Sequence, residues 1–599
     1  FMTDIVSEIN RILKEYIEGN KKVSYLKLKQ ISKNYPSNEK LKFNLAFMEQ
    51  DQGKLDKAKM SYIDLINDFD NFNAKINLYG IFLKEKNYLK ALDLINHILK
   101  KNNELINVWI DKAYINYKIA KYKTSIEICN SILKKNEHNT KALNLIGLCF
   151  FKEKKYKEAL EILSKGLEVN RLDLSLLNSI GEVYYELRDL KKSEKFYLKA
   201  LKIQPDSYQT LNNLAGFYLE TNNSKKALKL YEEALRIFPD EHTILENISK
   251  TYLSLNENKL AKKFIKKIIN ITNSASAHKL LSFVYLREEN FTKAWKHFDS
   301  RLQEDSFIYR NHSYNLIKDK LLKKKQIDPR KQLLIIREQG VGDELLYGTM
   351  YKDVLENFKN AYIEADERLI DLFVSSFGNS YLKNFKKFGF FSKNKKKMEN
   401  IDQVLYAGSL GYYFRNQIND FPDSGYVKID QILIDRTKEQ LSGFKKKFKI
   451  GISWKSFNNE YAEQKSLSLD NLLYLFKLSD VDFFNLQYGD VLKEIEEFNY
   501  NNNVNLVNLS DIDLFNDFLK VASLLKNLNL LITVSNSTAH LAGALGVKTL
   551  LIKPFNQATF FYWDQKTNKT PWYRSIELVE ENIINNKKLF SELVYSKLE

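Results

Sequence analysis

The chain has 599 residues, more than one hydrophobic core can organise, so two to four domains are expected. Lys and Arg number 93 against 75 Asp and Glu, a formal charge of +18, yet no nucleic-acid-binding module accompanies the basic residues. No uncharged apolar run reaches the roughly 18 residues of a membrane-spanning helix, so the composition leaves a protein with no membrane span, for which an anionic small molecule is a compatible partner.

Residues 1–22 place Asp4, Glu8, Arg11, Lys14, Glu15 and Glu18 at helical intervals, which predicts an amphipathic helix rather than the apolar core of a signal peptide. A small residue then recurs through the first half. Ala58, Ala91, Ser125, Ala159, Ser193, Ala227, Ala261 and Ala294 are spaced by 33 or 34 residues. Each sits in one frame. In the clearest copy, Leu214-Ala215 and Tyr218 precede Ala227, and Tyr231, Ala234 and Pro239 follow it. This pattern resembles the tetratricopeptide repeat, which implies two helices per unit, small residues where they touch, and a proline after the second helix. Stacked units form an α solenoid with a concave surface suited to a polypeptide. The superhelix is assigned to 1–305. Cys129 and Cys149 fall at packing positions on repeat helices, which reads as core thiols in a reducing, cytoplasmic setting.

Residues 306–330 read as a polar, Lys-rich linker, and the runs Lys323-Lys324-Lys325, Lys395-Lys396-Lys397 and Lys445-Lys446-Lys447 as solvated faces. Beyond the linker the texture becomes α/β. Strands are predicted at 333–336, 361–364 and 402–405, and a second set at 450–454, 482–486, 530–534 and 549–552. Helical segments at 470–476, 514–526 and 540–545 separate the second set. Two blocks of strand–helix alternation imply two Rossmann-like lobes, 331–445 and 446–599, with a cleft between them.

Three stretches carry chemistry. The first is Arg337-Glu338-Gln339-Gly340-Val341-Gly342-Asp343-Glu344, leaving a strand and entering a helix. Gly340 and Gly342 let backbone N–H groups approach a ligand, and Asp343 is a carboxylate able to accept a proton. The same residues would also serve as turn formers and an N-cap. The second, Ser535-Asn536-Ser537-Thr538-Ala539-His540, follows a buried strand and opens a helix of small residues, Ala542-Gly543-Ala544. Its N–H groups suit a diphosphate, with Ser537 and Thr538 as candidate caps. The third is Ser453-Trp454-Lys455 with Gln464-Lys465-Ser466. It offers the hydroxyl of Ser453 and the charge of Lys465 to phosphate oxygens, with Gln487 as a base or ribose contact. The Asp480-Val481-Asp482 and Asp511-Ile512-Asp513 triplets read as solvent-facing caps, and no metal is expected.

Taken in order, these stretches carry a resemblance. Residues 331–580 resemble a glycosyltransferase domain of the two-lobed GT-B type, close to the heptosyltransferase-like family 9. The motifs are Glu338-Gln339-Gly340-x-Gly342-Asp343 and Asn536-x-Thr538-x-His540-Leu541-Ala542-Gly543-Ala544-Leu545-Gly546. Smaller echoes are Asp366-Glu367-Arg368-Leu369, Gly408-Ser409-Leu410, Lys465-Ser466, Gln487 and Pro571-Trp572-Tyr573. Repeats joined to such a domain are similar in arrangement to the O-GlcNAc transferase family. The resemblance implies metal-independent transfer of a sugar from a nucleotide-sugar, with no bound cofactor. By similarity Asp343 is the base, and Lys465, Asn536, Ser537, Thr538 and His540 contact the donor. Many relatives have Asp where this chain has Ser535, which leaves the donor's identity open.

The expected function is therefore transfer of a sugar to a Ser, Thr or Asn side chain of a polypeptide held by the repeats. The alternatives are a glycolipid or cell-surface saccharide acceptor, or an inactive repeat scaffold. Lys465 and His540, on a loop and a helix start, are expected to be incompletely buried. The residues preceding the small pair of each frame are Asn44, Asn77, Asp111, Leu145, Ser179, Asn213, Asn247 and Leu280. They are expected to face the concave side, with Asn213 and Asn247 as acceptor contacts that pair with an extended backbone.

Overall fold

The computed structural model describes residues 2–303 except 86 and 222, and residues 314–322, 326–457, 462, 465–553, 560–563 and 567–598. It divides into two compact units, Phe1–Phe217 and Tyr218–Glu599. Among the described residues, eighteen α-helices from Met2–Ile17 to Phe291–Phe298 form nine consecutive pairs. Asn38, Asn71, Asn139 and Asp173 each cap a first helix by accepting a backbone N–H with the side chain. Pro205 and Pro239 follow second helices that end at Ile203 and Ile237.

All eight periodic small residues lie on second helices and are fully buried. Their size lets the paired helices approach closely. A Cβ on Gly181 would lie 2.9 Å from the Tyr197 ring, and one on Gly147 would lie 2.5 Å from Leu163. Where the small residue is serine, its hydroxyl is satisfied across the pair: Ser125 donates to the Ala113 carbonyl and Ser193 to that of Gly181, both at 2.8 Å. A ninth pair, Met2–Ile17 with Lys21–Asn34, precedes the eight frames. Its fully buried Ser24 keeps the phase, 34 residues before Ala58.

The second unit holds two sheets. In the first, β1 (Leu333–Ile336), β2 (Ala361–Ala365), β3 (Phe385–Lys387) and β4 (Gln403–Tyr406) run parallel in the order β3-β2-β1-β4. The second contains β5 (Phe448–Ser453), β6 (Val481–Asn485), β7 (Leu506–Val507), β8 (Leu530–Val534), β9 (Thr549–Lys553), β10 (Lys569–Thr570) and β11 (Tyr573–Glu580). Its order is β10-β11-β9-β8-β5-β6-β7, parallel except for β10. Each sheet starts in its middle and winds outward both ways, so the direction of winding reverses between β1 and β4 and between β5 and β8. The carboxyl ends of strands at such a reversal are where open α/β sheets bind ligands. The glycine-bearing loop leaves β1 there, and serine-bearing segments leave β5 and β8.

The seven predicted strands are present to within two residues at either end, and the helices with shifted bounds: 470–476 is a 3-10 helix, Leu469–Lys477, and 514–526 begins at Phe518. Strands β3, β7 and β10 leave no periodic signal because each spans two or three residues. Strand β11 is an addition to the predicted set, although Ile576 stands between the polar Ser575 and Glu577.

The repeat period ends near residue 305, but repeat packing continues into the α/β core. Phe291, Trp295 and Phe298 of the last helix are buried in one cluster with Leu345, Tyr347, Leu410 and Trp572. The Trp295 indole N–H donates to the Arg415 carbonyl at 2.5 Å, and a Cβ on Gly411 would meet the same ring at 2.6 Å. Of the expected linker, 314–322 and 326–330 are described. They are anchored rather than free: Ile317 and Ile327 are buried, the Leu322 N–H donates to the Val404 carbonyl, and the Val404 N–H donates to the Lys320 carbonyl. The Lys323–Lys325 run lies outside the described residues.

Candidate functional site

The loops after β1 and β8 meet. Gly340 is the N-cap of helix Val341–Gly348, which places Asp343 inside the first turn rather than at the cap. Helix Ser537–Leu545 is capped by Asn536, whose Oδ1 accepts the Ala539 N–H at 3.1 Å; the caps are thus not Ser537 and Thr538. A cleft of about 360 Å³ opens between these elements, lined among others by Gly340, Gly342, Asp343, Lys465, Asn536, Ser537 and His540.

Burial and the nearby Glu338 carboxylate push the Asp343 pKa up to about 6, against the opposing pull of Tyr562 and Lys465. The Tyr562 hydroxyl faces Asp343 Oδ1 at 3.4 Å. A carboxyl with that pKa is ionised at neutral pH and still basic enough to take a proton. His540 is only 3% exposed and boxed by aromatic rings: Tyr562 and Trp563 at 5.0 Å and Tyr573 at 5.8 Å between centroids. Its Nδ1 pairs with the Tyr573 hydroxyl at 3.2 Å. Burial, with Lys465 nearby, lowers its pKa to about 3, so the ring is neutral under ordinary conditions. Lys465 is likewise 3% exposed, its ammonium 3.4 Å from the centroid of Phe560. The expectation of incomplete burial is corrected for both residues, because the aromatic segment Phe560–Trp563 covers them. Gln464 lies outside the described residues.

The structure separates the remaining site candidates by what their polar atoms already do. Gln487 is 1% exposed, and its Oε1 accepts from the Ser453 hydroxyl and the backbone N–H groups of Trp454 and Lys455. Asn536 donates to Ser453 Oγ at 2.7 Å and to the Lys455 carbonyl at 3.1 Å. Thr538 donates to the Leu486 carbonyl at 3.3 Å. Ser453, Gln487 and Asn536 therefore tie the ends of β5, β6 and β8 together, while Ser537 faces the cleft at the first turn of its helix. Ser535 accepts the Trp563 indole N–H at 3.1 Å.

Residues to which the sequence analysis gave no role complete the cleft. Arg368 lines it while forked on Asp366, with bonds of 2.8 and 3.0 Å, and stacked 4.9 Å above Phe515. Phe457, Tyr488 and Phe515 form an aromatic wall, with centroid separations of 5.5 and 6.2 Å. Their signal is weak in the sequence because aromatics are abundant everywhere in this chain. Beneath the first loop, the Glu338 side chain is buried and forked by Arg301 at 2.6 and 2.9 Å. Burial works against the Arg301 charge, but the Glu338 and Asp299 carboxylates outweigh it and raise its pKa. Among the described residues no three His, Cys, Asp or Glu side chains converge as metal ligands, and no helix is long and apolar enough to cross a membrane.

On the repeats, Asn213 and Asn247 are half-buried. Asn213 already donates to Asn178 at 3.2 Å, Asn77 to the Tyr62 hydroxyl at 3.0 Å and Asn44 to the Lys40 carbonyl, while Leu145 and Leu280 are buried.

Comparison with known proteins bears on the same region. Tetratricopeptide-repeat family models match residues 140–171, 172–240 and 242–274, and each match coincides with helix pairs whose small residues are buried. The N-terminal helices are tetratricopeptide repeats. Protein FlbA of Caulobacter vibrioides is 28% identical over 259 residues, 41% of this chain and 42% of FlbA. The match thus spans less than half of that relative. Among solved structures, a thermophilic repeat protein of Thermus thermophilus is similar at 19% identity over 31% of this chain and all of its own, with a TM-score of 0.29. Yeast Tom70 is similar at 14% identity, 48% and 61% coverage, and a TM-score of 0.38.

Proposed function

We propose that the protein is a glycosyltransferase of the GT-B type that uses a nucleotide-sugar and a polypeptide acceptor held by its repeats. One observation carries the reading: the Asp343 carboxylate, with a pKa of about 6, shares a cleft with the amino end of helix Ser537–Leu545 and with Lys465. An acceptor hydroxyl attacks the anomeric carbon and gives its proton to Asp343. The bond from that carbon to the diphosphate breaks, and the leaving nucleoside diphosphate gains a charge. The helix N–H groups and Lys465 stabilise that charge, and Arg368 adds a second cation. The aromatic wall of Phe457, Tyr488 and Phe515 suits the planar base of the donor. The motifs at 338–343 and 536–546 and the winding of both sheets support the same reading. The repeats support a polypeptide acceptor.

Incubation with a panel of nucleotide-sugars and candidate polypeptides, read by donor hydrolysis and intact mass, tests the proposal. Transfer is expected with at least one donor and is lost in Asp343→Asn. Lys465→Ala is expected to weaken donor binding about ten- to a hundredfold, the range for loss of a charge-assisted contact. Absence of binding, hydrolysis and transfer across the panel would remove the enzymatic reading and leave a repeat scaffold.

A further inference from the structure

We propose that Arg301, on the turn that closes the last repeat, is a positioning residue for Asp343, acting by neutralising Glu338 beneath the first glycine loop. The inference rests on the reading of Asp343 given above. Glu338 sits five residues before Asp343 in the loop that leaves β1, and its side chain is 1% exposed. Its two oxygens accept Arg301 Nη2–H at 2.6 Å and Nε–H at 2.9 Å, and Oε1 also accepts the Gly408 N–H at 2.6 Å. Gly408 leaves no room for any side chain: a Cβ there would lie 2.7 Å from Glu338 Oε1 and 2.8 Å from Arg301 Nη2. Arg301 is held from its own side. It donates to Asp299 at 2.8 Å, to the Phe298 carbonyl at 3.2 Å and to Ser409 Oγ at 3.2 Å, and its guanidinium stacks 4.3 Å over the Phe298 ring. Ser409 in turn donates to Asp299 at 2.8 Å.

Chain connectivity gives this network its meaning. Arg301, Asp299 and Phe298 belong to the end of the repeats. Glu338, Gly408 and Ser409 belong to the loops after β1 and β4, at the point where the first sheet reverses its winding. The α/β region thus buries a carboxylate whose counter-charge comes from the last repeat. A buried carboxylate stripped of its partner is costly and repels neighbouring carboxylates. The groups that act on Asp343 are Glu338, Lys465, Tyr347, Tyr562 and Tyr573, and of these Glu338 is the other carboxylate. Arg301 offsets part of its field, so that the rise Glu338 imposes on Asp343 stays limited. The repeats are then more than an acceptor clamp, because their closing turn sets the proton affinity of the site.

The test titrates Asp343 directly in the full chain, labelled with carbon-13 at the aspartate carboxyls. The signal is assigned by its loss in Asp343→Asn, and no donor is needed. Wild type is expected to titrate in one step. In Arg301→Gln, Asp343 and Glu338 titrate as an interacting pair, with two steps and an upper midpoint about one pH unit or more higher. The double variant Arg301→Gln with Glu338→Gln returns one step at or below the wild-type midpoint, a rescue that a merely structural role would not give. Arg301→Lys, which keeps the charge, stays close to wild type. A single step at the wild-type midpoint in Arg301→Gln overturns the proposal, as does an unrescued double variant. If none of the three variants folds, Arg301 is a packing residue and the proposal falls. A protein that titrates as described but transfers no sugar refutes the glycosyltransferase reading alone.

Discussion

Gly342 lies against the ring of His540: a Cβ built on this glycine would come within 2.8 Å of the imidazole Cδ2. The glycine in the first turn of the helix after β1 and the histidine in the first turn of the helix after β8 are thus in contact, and the absent side chain is what lets helices Val341–Gly348 and Ser537–Leu545 meet. Gly342→Ala is expected to cost about 1–3 kcal/mol, the usual penalty for overpacking a tight contact, because His540 is boxed by three aromatic rings and cannot retreat. Gly340→Ala is the control, since no atom lies within 4 Å of its Cβ position. Thermal unfolding of the two variants should separate them. Equal midpoints would mean that the two helices adjust freely.

Asp343 makes a pH prediction with a definite sign. Its folded pKa of about 6 lies above the ordinary 3.8, so the folded protein binds the extra proton between those values, and the residue's contribution to stability falls as pH rises through that window. Asp343→Asn is therefore expected to raise stability at pH 7.5, by about 1–3 kcal/mol, while abolishing transfer. In the wild type, transfer needs the carboxylate and should fall as pH drops through about 6. Melting curves at pH 4 and 7.5 check the first part: the variant's advantage should be confined to the higher pH.

His540 works in the opposite direction. Its folded pKa of about 3 lies below the ordinary 6.5, so its neutral form stabilises the fold above pH 6.5 and that contribution is lost as pH falls towards 3. His540→Ala is expected to lower the unfolding midpoint as well as donor binding, because it empties a buried aromatic box. A variant as stable as wild type at pH 7.5 would contradict the packing described for this ring.

Asn536 and Ser537 are neighbours with different expected roles. Asn536 caps a helix and joins β8 to β5 through Ser453 and the Lys455 carbonyl, whereas Ser537 faces the cleft. Asn536→Ala should cost about 1–3 kcal/mol through the lost cap and the buried partners left unpaired. Ser537→Ala should leave stability nearly unchanged and weaken nucleotide-sugar binding. Parallel denaturation and donor titration calorimetry decide between this division and a shared ligand role.

Trp295 predicts where the chain can be cut. Truncating this buried indole, which fills the space above Gly411, should cost about 3–5 kcal/mol. A fragment starting at residue 306 should expose the cluster that Phe291, Trp295 and Phe298 cover, and should aggregate. A fragment retaining the last repeat should behave better. Size-exclusion profiles of the two fragments provide the check.

The repeats are legible in the sequence because their packing is local: each small residue meets a helix one turn away in the chain, so the constraint recurs every 33 or 34 residues. Only the ninth pair escapes the frame, although Ser24 keeps the phase. The strands β1 and β8 are legible because burial on both faces demands runs that are apolar or nearly so, and the loops after them because glycine and hydroxyl residues stand out there. What the tertiary structure decided is which of those polar residues remain available. Ser453, Gln487 and Asn536 look like ligands in one dimension, yet their atoms are satisfied by one another, since three strand ends converge and a buried polar group must find a partner. Arg301 and Glu338 lie 37 residues apart, in segments of different texture, and the Phe560–Trp563 segment looks like one more aromatic run. Their roles depend on side chains brought together by the packing of the last repeat on the first sheet, and no local period records such a contact.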